Sequence, residues 1–337
     1  MPVNAETVVT YDVSTIREDL QEAYSMISPT ECPFQTMAGS RDITQKQFDW
    51  PVVDLQPPDD ANRVLEGEPD PANDPATLAD RLWNTCQISD KVAEISQTSQ
   101  ASDGAANNIQ RMDTQVALKM KEMKRDKEVM LLSNVPAIMG NTTTVRQTAG
   151  FPAFLRTNSI IGAGAVAPTL SGTTEGYPNT GWTDATATTD FLEDSLNEVI
   201  ELCWNSGAEP SVIMLNGINK RILSATFTGY ATRYKDAIDK TLVASIDFYD
   251  SDFGELTVVP NRFQPTLNAA TDDDNYAVYV LDPDYYRIGY LDPVQRKPLA
   301  ETGHALRALI WCEYGLQVDN EAAHGIIPDT NGVMPTP

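Results

Sequence analysis

Residues 105–133 carry the strongest pattern in the sequence, with Ile109, Met112, Val116, Met120, Met123 and Met130 recurring at the three- and four-residue steps of one helix face. Ser102 or Asp103 stands where an N-cap belongs. At 1.5 Å per residue this helix is roughly 43 Å long, enough to serve as the backbone of a flat subunit. The charged residues from Lys119 to Glu128 read as its other face, able to pair at i,i+4. The methionines read as core filler, with a Met-lined binding groove as the alternative.

The rod is preceded by an arm and a hairpin. Residues 1–40 read as an arm: a short helical piece over 14–26, then Pro29, Cys32-Pro33 and Gly39, which stop further regular structure. Residues 42–53 alternate in part, with Phe48 and Trp50 on one face, and a second strand pattern runs over 82–95. Between them, residues 57–75 hold five prolines and six acidic residues. Such a tip buries no core of its own, so the unit reads as a long hairpin projecting from the body.

The stretch 140–188 is rich in Gly, Thr, Ala and Pro without periodicity and reads as loop or short strands. A second amphipathic helix follows, with Asp190 and Glu193 as a capping-box-like pair, an apolar stripe at Leu192, Leu196, Val199, Ile200 and Cys203, and Gly207 as the stop. Residues 210–215 read as a buried strand, and Asn216 caps a short helix through Thr226. Strand patterns at 242–249, 255–259, 276–281, 285–290 and 305–318 complete the chain. Two long helices among hairpins imply an α+β body with antiparallel sheets, and 337 residues suggest two subdomains plus arms.

A net charge of -24 opposes binding to phosphate backbones or anionic lipid, while keeping a concentrated protein soluble. Such a surface repels nearby DNA, a property that suits a container wall. Four isolated cysteines and two histidines predict neither a zinc site nor a disulfide framework. Residues 1–10 show no secretory pattern, and residues 160–167 are too short and Gly-rich to span a bilayer, so the expected compartment is cytoplasm.

Candidate chemistry is thin. Gly162, Gly164 and Ala167 spell GxGxxA, but Pro168 and Gly172 follow where a dinucleotide-binding helix must begin. His304 and His324 lack a neighbouring ligand and read as structural histidines. Asp272, Asp273 and Asp274 lack the spaced ligands of a calcium loop and read as a solvated turn. No nucleophile elbow, P-loop, HExxH or kinase signature is present, so no catalytic residue, cofactor or metal is assigned.

Taken in order, several motifs resemble tailed-phage major capsid proteins of the Hong Kong 97 type. They are SPTECPF at 28–34, FDWPVVDL at 48–55, NTCQIS at 84–89, EISQTSQA at 94–101 and KEMKRDKE at 121–128, then PSVIMLN, DFYDSDFGELTVVPNRFQP and RALIWCEYGLQVDNEAAHGI. The match covers most of residues 28–327. The resemblance implies a Hong Kong 97-type fold with residues 1–40 as N-terminal arm, 41–98 as extended loop and 99–187 as peripheral domain with spine helix 105–133. It further implies 188–270 as axial domain, 271–327 as long strands returning through the peripheral domain with a loop at 292–302, and 328–337 as tail. It also implies a non-enzymatic subunit that self-assembles into hexamers and pentamers of an icosahedral head enclosing double-stranded DNA, with portal, possible decoration protein and, since the arm starts near Met1, a separate scaffolding protein. The virion is then its location, after assembly in the host bacterial cytoplasm.

Two inter-subunit contacts follow as expectations. The acidic tip, with Asp59, Asp60, Glu66, Glu68 and Asp70, should meet basic side chains of an adjacent subunit, with Arg63 and Arg81 assisting, because carboxylates this dense repel one another. The loop 292–302 should meet its symmetry copies, with Arg296, Lys297 and Glu301 supplying both signs of charge. The alternatives are another virion or cell-surface protein that forms no shell, and a carboxylate/metal hydrolase at an unrecognised site.

Overall fold

The computed structural model describes residues 26–55, 57–60, 63, 66–67, 76–102, 111–183, 189–226, 247–267, 276–301 and 303–330. The chain divides into two compact units, a larger one of residues 30–90, 122–295 and 311–337 and a smaller one of 1–29, 91–121 and 296–310.

The larger unit is organised by a five-stranded sheet in the order β11-β8-β5-β7-β6: Gly325–Thr330, Tyr276–Leu281, Val212–Leu215, Gly254–Pro260 and Phe248–Ser251. Side chains alternate across it with the strand period of two. Ile213, Leu215, Val278 and Val280 face helices α4 (Glu193–Asn205) and α5 (Gly217–Thr226), whose Leu196, Val199, Ile200, Cys203, Ile222 and Leu223 complete one buried cluster. On the other phase, Tyr279 packs edge-on against Phe151 at 5.7 Å. Phe151 also meets Phe34 at 5.1 Å, Tyr286 at 5.7 Å and His324 at 5.2 Å.

This sheet is mixed, not antiparallel as the sequence suggested, since β5 runs parallel to β7, and in a second sheet β1 (Gly39–Asp42) runs parallel to β9 (Tyr286–Pro298). The cause is connectivity. β6 and β7 form an antiparallel hairpin whose second limb lies beside β5, so β7 runs with β5 while β6 runs against it. A four-stranded sheet has the order β1-β9-β10-β4, with β10 at Ala305–Val318 and β4 at Gln87–Ser96.

The hairpin strands are β2 (Gln47–Val52) and β3 (Asp80–Thr85), paired antiparallel from Gln47↔Thr85 to Val52↔Asp80. The single strand expected over 82–95 is two, because β3 pairs with β2 whereas β4 joins the other sheet. At the switch, buried Asn84 is held by Thr148 Oγ1 at 3.0 Å and the Leu316 carbonyl at 2.7 Å. Phe48 crosses so close to β10 that a Cβ at Gly315 would lie 2.6 Å from its ring, which leaves room only for glycine.

Other local expectations change for identifiable reasons. Pro33 does not end regular structure; it opens the five-residue helix α1 (Pro33–Met37), where its missing N–H would be unpaired anyway. Gly39 likewise opens β1. Residues 14–25 of the expected arm helix lie outside the described residues. Helix α2 (Gln97–Ala101) was not anticipated; Ser96 Oγ caps it by accepting from Ser99 N at 3.1 Å.

The rod is α3, Met112–Leu132, with residues 103–110 outside the described set. Met112, Val116, Met123, Leu131 and Leu132 are buried, but Met120 is 37% exposed. The charged run is not one solvent face, since Lys127 and Glu128 are buried. Lys127 falls in phase with Met123 and Leu131, and its stem follows the apolar stripe to a 2.7 Å bond with the Tyr290 hydroxyl.

In α4 the N-cap position falls on Leu192, whose side chain makes no cap bond, two residues past Asp190. Phe191, immediately before that position, is fully buried. Gly207, at φ +87, stops the helix as expected. Asn216 does cap α5, accepting from Asn219 N at 2.8 Å. The strand expected at 242–249 is described only as β6 from Phe248, and residues 227–246 lie outside the described set. The strand expected at 285–290 continues to Pro298, so much of the proposed 292–302 loop is strand. Leu299 N extends the ladder to the Arg307 carbonyl at 3.0 Å. Residues 140–183 are loop punctuated by isolated bridges, Ile138↔Gln147 and Leu170↔Pro178 among them, and a short 3-10 turn at Phe151–Ala153.

Candidate assembly surfaces

At the root of the arm, one carboxylate joins three segments. Glu128, fully buried on α3, accepts from Phe34 N at 2.9 Å and Asn261 Nδ2 at 2.8 Å through Oε1, and from Gln35 N at 3.1 Å and Gln35 Nε2 at 2.9 Å through Oε2. The donors are two amides of α1 and two amide side chains, none of them charged. Upstream of this clamp, Met26 is 42% and Ile27 100% exposed. Sequence reasoning missed Glu128 by assigning it to the solvent face. The available signal was its phase, four residues before buried Leu132.

Beyond the paired part of the hairpin, Val53, Leu55 and Leu78 are exposed by 55%, 87% and 80%. Asp59, Asp60, Arg63 and Glu66 are exposed as well, while Glu68 and Asp70 lie outside the described residues. Arg81 is not free to assist the tip, because it pairs with Asp49 across its own hairpin. Within the smaller unit, Arg296 Nη1 contacts Asp113 Oδ1 at 2.9 Å, Glu301 accepts from Gln97 Nε2 at 3.2 Å, and Lys297 is exposed. The structure therefore brings Arg296 and Glu301 near partners of their own chain and not to each other.

The groups that carry chemistry elsewhere are quiet here. All four cysteines are buried and unpaired. Burial pushes the Cys86 thiol up to about 11 and that of Cys203 up to about 12, away from the reactive thiolate. His324 is buried in the aromatic cluster, its Nδ1 accepting from Asp282 N at 3.2 Å; burial lowers its pKa to about 3, against a smaller opposing pull from the Tyr285 backbone. His304 Nε2 lies 3.1 Å from Thr98 Oγ1. Gly162 and Gly164 sit in a turn with no helix after them, and Asp272 to Asp274 lie outside the described residues. Among the described residues no group of three or more His, Cys, Asp or Glu gathers as a metal site, and no helix is long and apolar enough to cross a membrane.

A family model described as SU10 major capsid protein matches residues 3–331. The major capsid protein of Escherichia phage Phieco32 is 25% identical over 357 residues, covering 96% of this chain and 97% of its own. Among solved structures, the capsid of cyanophage P-SCSP1u superposes with a TM-score of 0.57 at 14% identity over 98% of this chain and 97% of its own. A chain of Gordonia phage Cozz superposes with a TM-score of 0.58 at 13% identity, over 97% of this chain and 96% of its own. Identities this low speak for the fold alone.

Proposed function

This chain belongs to the SU10 major capsid protein family, and on that premise we propose that it assembles into hexamers and pentamers of an icosahedral head enclosing double-stranded DNA. Its fold is the α+β Hong Kong 97 type, it is a virion protein, and its role is to form a shell from copies of itself. The observation that carries the finer reading is the bare apolar surface on the hairpin limbs and arm root: Leu55, Leu78 and Ile27 are 80% exposed or more. A neighbouring copy removes such surface from water at about 25 cal/mol per Å². Static light scattering with the native scaffold present checks it: assembled species at moderate salt are expected, and compact monomers at every salt and concentration would contradict it.

The domain map belongs to the same proposal. Residues 1–40 act as the arm and 41–98 as the extended loop. Residues 99–187 form the peripheral domain on the spine helix, and 188–270 the axial domain. Residues 271–327 return as long strands, and the tail expected at 328–337 gives up residues 328–330 to β11, which runs buried to Thr330. We read the chain as catalysing nothing, a reading supported by its buried thiols and neutral core histidine. Scaffold, portal and decoration proteins are its expected partners, and the host cytoplasm its place of assembly.

The acidic tip supplies a first test. Neutralising Asp59, Asp60, Glu66, Glu68 and Asp70 together should flatten the salt dependence of assembly while leaving helicity intact, because exposed ion pairs weaken as salt rises. Identical assembly at low and high salt for variant and wild type would count against the contact.

The strand end at Arg296 and Lys297 supplies a second. Reversing both to Glu adds like charge at each symmetry junction and also removes the Arg296–Asp113 pair, whose Asp113 side chain is 88% exposed. An exposed pair of this kind contributes at most about 1 kcal/mol, so the subunit should still fold. Native circular dichroism with a reduced yield of closed particles is the expected outcome, and an undiminished yield would remove the junction.

A further inference from the structure

Two unlike patches lie at opposite ends of one strand in the larger unit. Where β7 begins, the indole of Trp204 on α4 sits 5.3 Å from the ring of Phe253 in the β6–β7 turn. These side chains are 53% and 38% exposed, and Phe248 on β6 is 63% exposed. The elements that carry them, α4 and residues 248–260, hold seven acidic residues, all exposed, and no lysine or arginine. Glu201, Asp250, Asp252 and Glu255 are among them.

At the far end of β7 the sign changes. Pro260 and Arg262 line an open cleft of about 520 Å³ together with Lys124 and, as the one acid among its described lining residues, Glu31. Arg125 lies 5.4 Å from the centre of the Phe263 ring beside it. Seven residues of strand separate the two patches, roughly 20 Å at 3.3 Å per residue.

This arrangement selects a type of contact. A two-fold contact would set the acidic aromatic shelf against itself, acid on acid, over exposed rings that gain most from being covered. A head-to-tail contact instead sets the shelf of one copy against the cleft of the next, and a contact between two different patches closes into a ring when its rotation does. Arginine is also suited to the occupant's side, because its guanidinium stacks on aromatic faces while pairing with carboxylates.

We propose that, in the shell, the Trp204–Phe253 shelf of each copy seats against the Lys124–Arg262 cleft of a second copy, which makes this a ring-forming interface. The proposal rests on the shell-forming reading and adds the surfaces that meet. Its test is a charge exchange at exposed positions, with particle yield read by sedimentation and fold by circular dichroism. E201K/D252K and K124E/R262E should each keep a native spectrum and lower particle yield at least about tenfold, a change worth about 1.4 kcal/mol. The chain carrying all four changes has its complementarity restored in reverse and should recover most of the yield. Undiminished yield in both double variants, or a combined variant as inactive as either, would overturn the interface while leaving the shell reading in place. A wild type that makes no particles removes both.

Discussion

Replacing Glu128 with alanine is expected to lower subunit stability by about 3–5 kcal/mol, because the amides of Phe34 and Gln35 and the side chains of Gln35 and Asn261 all lose their acceptor in a buried site. Glu128→Gln keeps the shape but turns one acceptor into a donor facing other donors, so it should fall between alanine and wild type. Urea unfolding with an unchanged slope measures the loss. Limited proteolysis gives a second readout, since release of the clamp should open residues 26–33 to cleavage before the body unfolds. Both variants within about 1 kcal/mol of wild type would mean that the clamp is not what holds the arm root.

His324 should make the fold lose stability on mild acidification. Its folded pKa of about 3 lies below the ordinary 6.5, so between those values the unfolded chain binds a proton that the folded chain refuses. Stability is full above pH 6.5 and falls toward pH 3 by up to about 1.4 kcal/mol per pH unit. The ring lies among Phe151 and Tyr286, at 5.2 and 5.8 Å, so His324→Phe fits the surroundings, although it strands the Asp282 amide. Unfolding midpoints from pH 7 to pH 4 should drop more steeply for wild type than for this variant. Parallel curves would show that other groups set the acid response.

The elements most legible in the sequence were those whose side-chain period matches their burial. The apolar stripe of α4 from Leu196 to Cys203, the uniformly buried β5, and the strands Tyr276–Leu281 and Ala305–Val318 follow from pattern alone. Partner choice was not legible. Nothing local in residues 82–95 shows that the chain leaves β2 at Cys86 for another sheet, nor that β5 and β7 lie parallel, because both depend on residues far away in sequence. Lys127 and Glu128 misled for a different reason: charge at a core phase looks like a solvent face until Tyr290, Asn261 and the α1 amides arrive to satisfy it. Of the surfaces, the acidic tip and the Arg296–Lys297 end could be named from composition and resemblance. The Trp204–Phe253 shelf needed the fold, since 49 residues separate its two rings in sequence.

Electron microscopy of the purified protein, expressed with and without its native scaffold, separates a shell-forming subunit from one that forms no shell. Closed shells of uniform diameter are expected, whose averaged faces resolve rings of both five and six subunits, with the hairpin of each copy lying on a neighbour. Monomers, open sheets or amorphous aggregate under all conditions, from protein with a native circular dichroism spectrum, would contradict a shell-forming role.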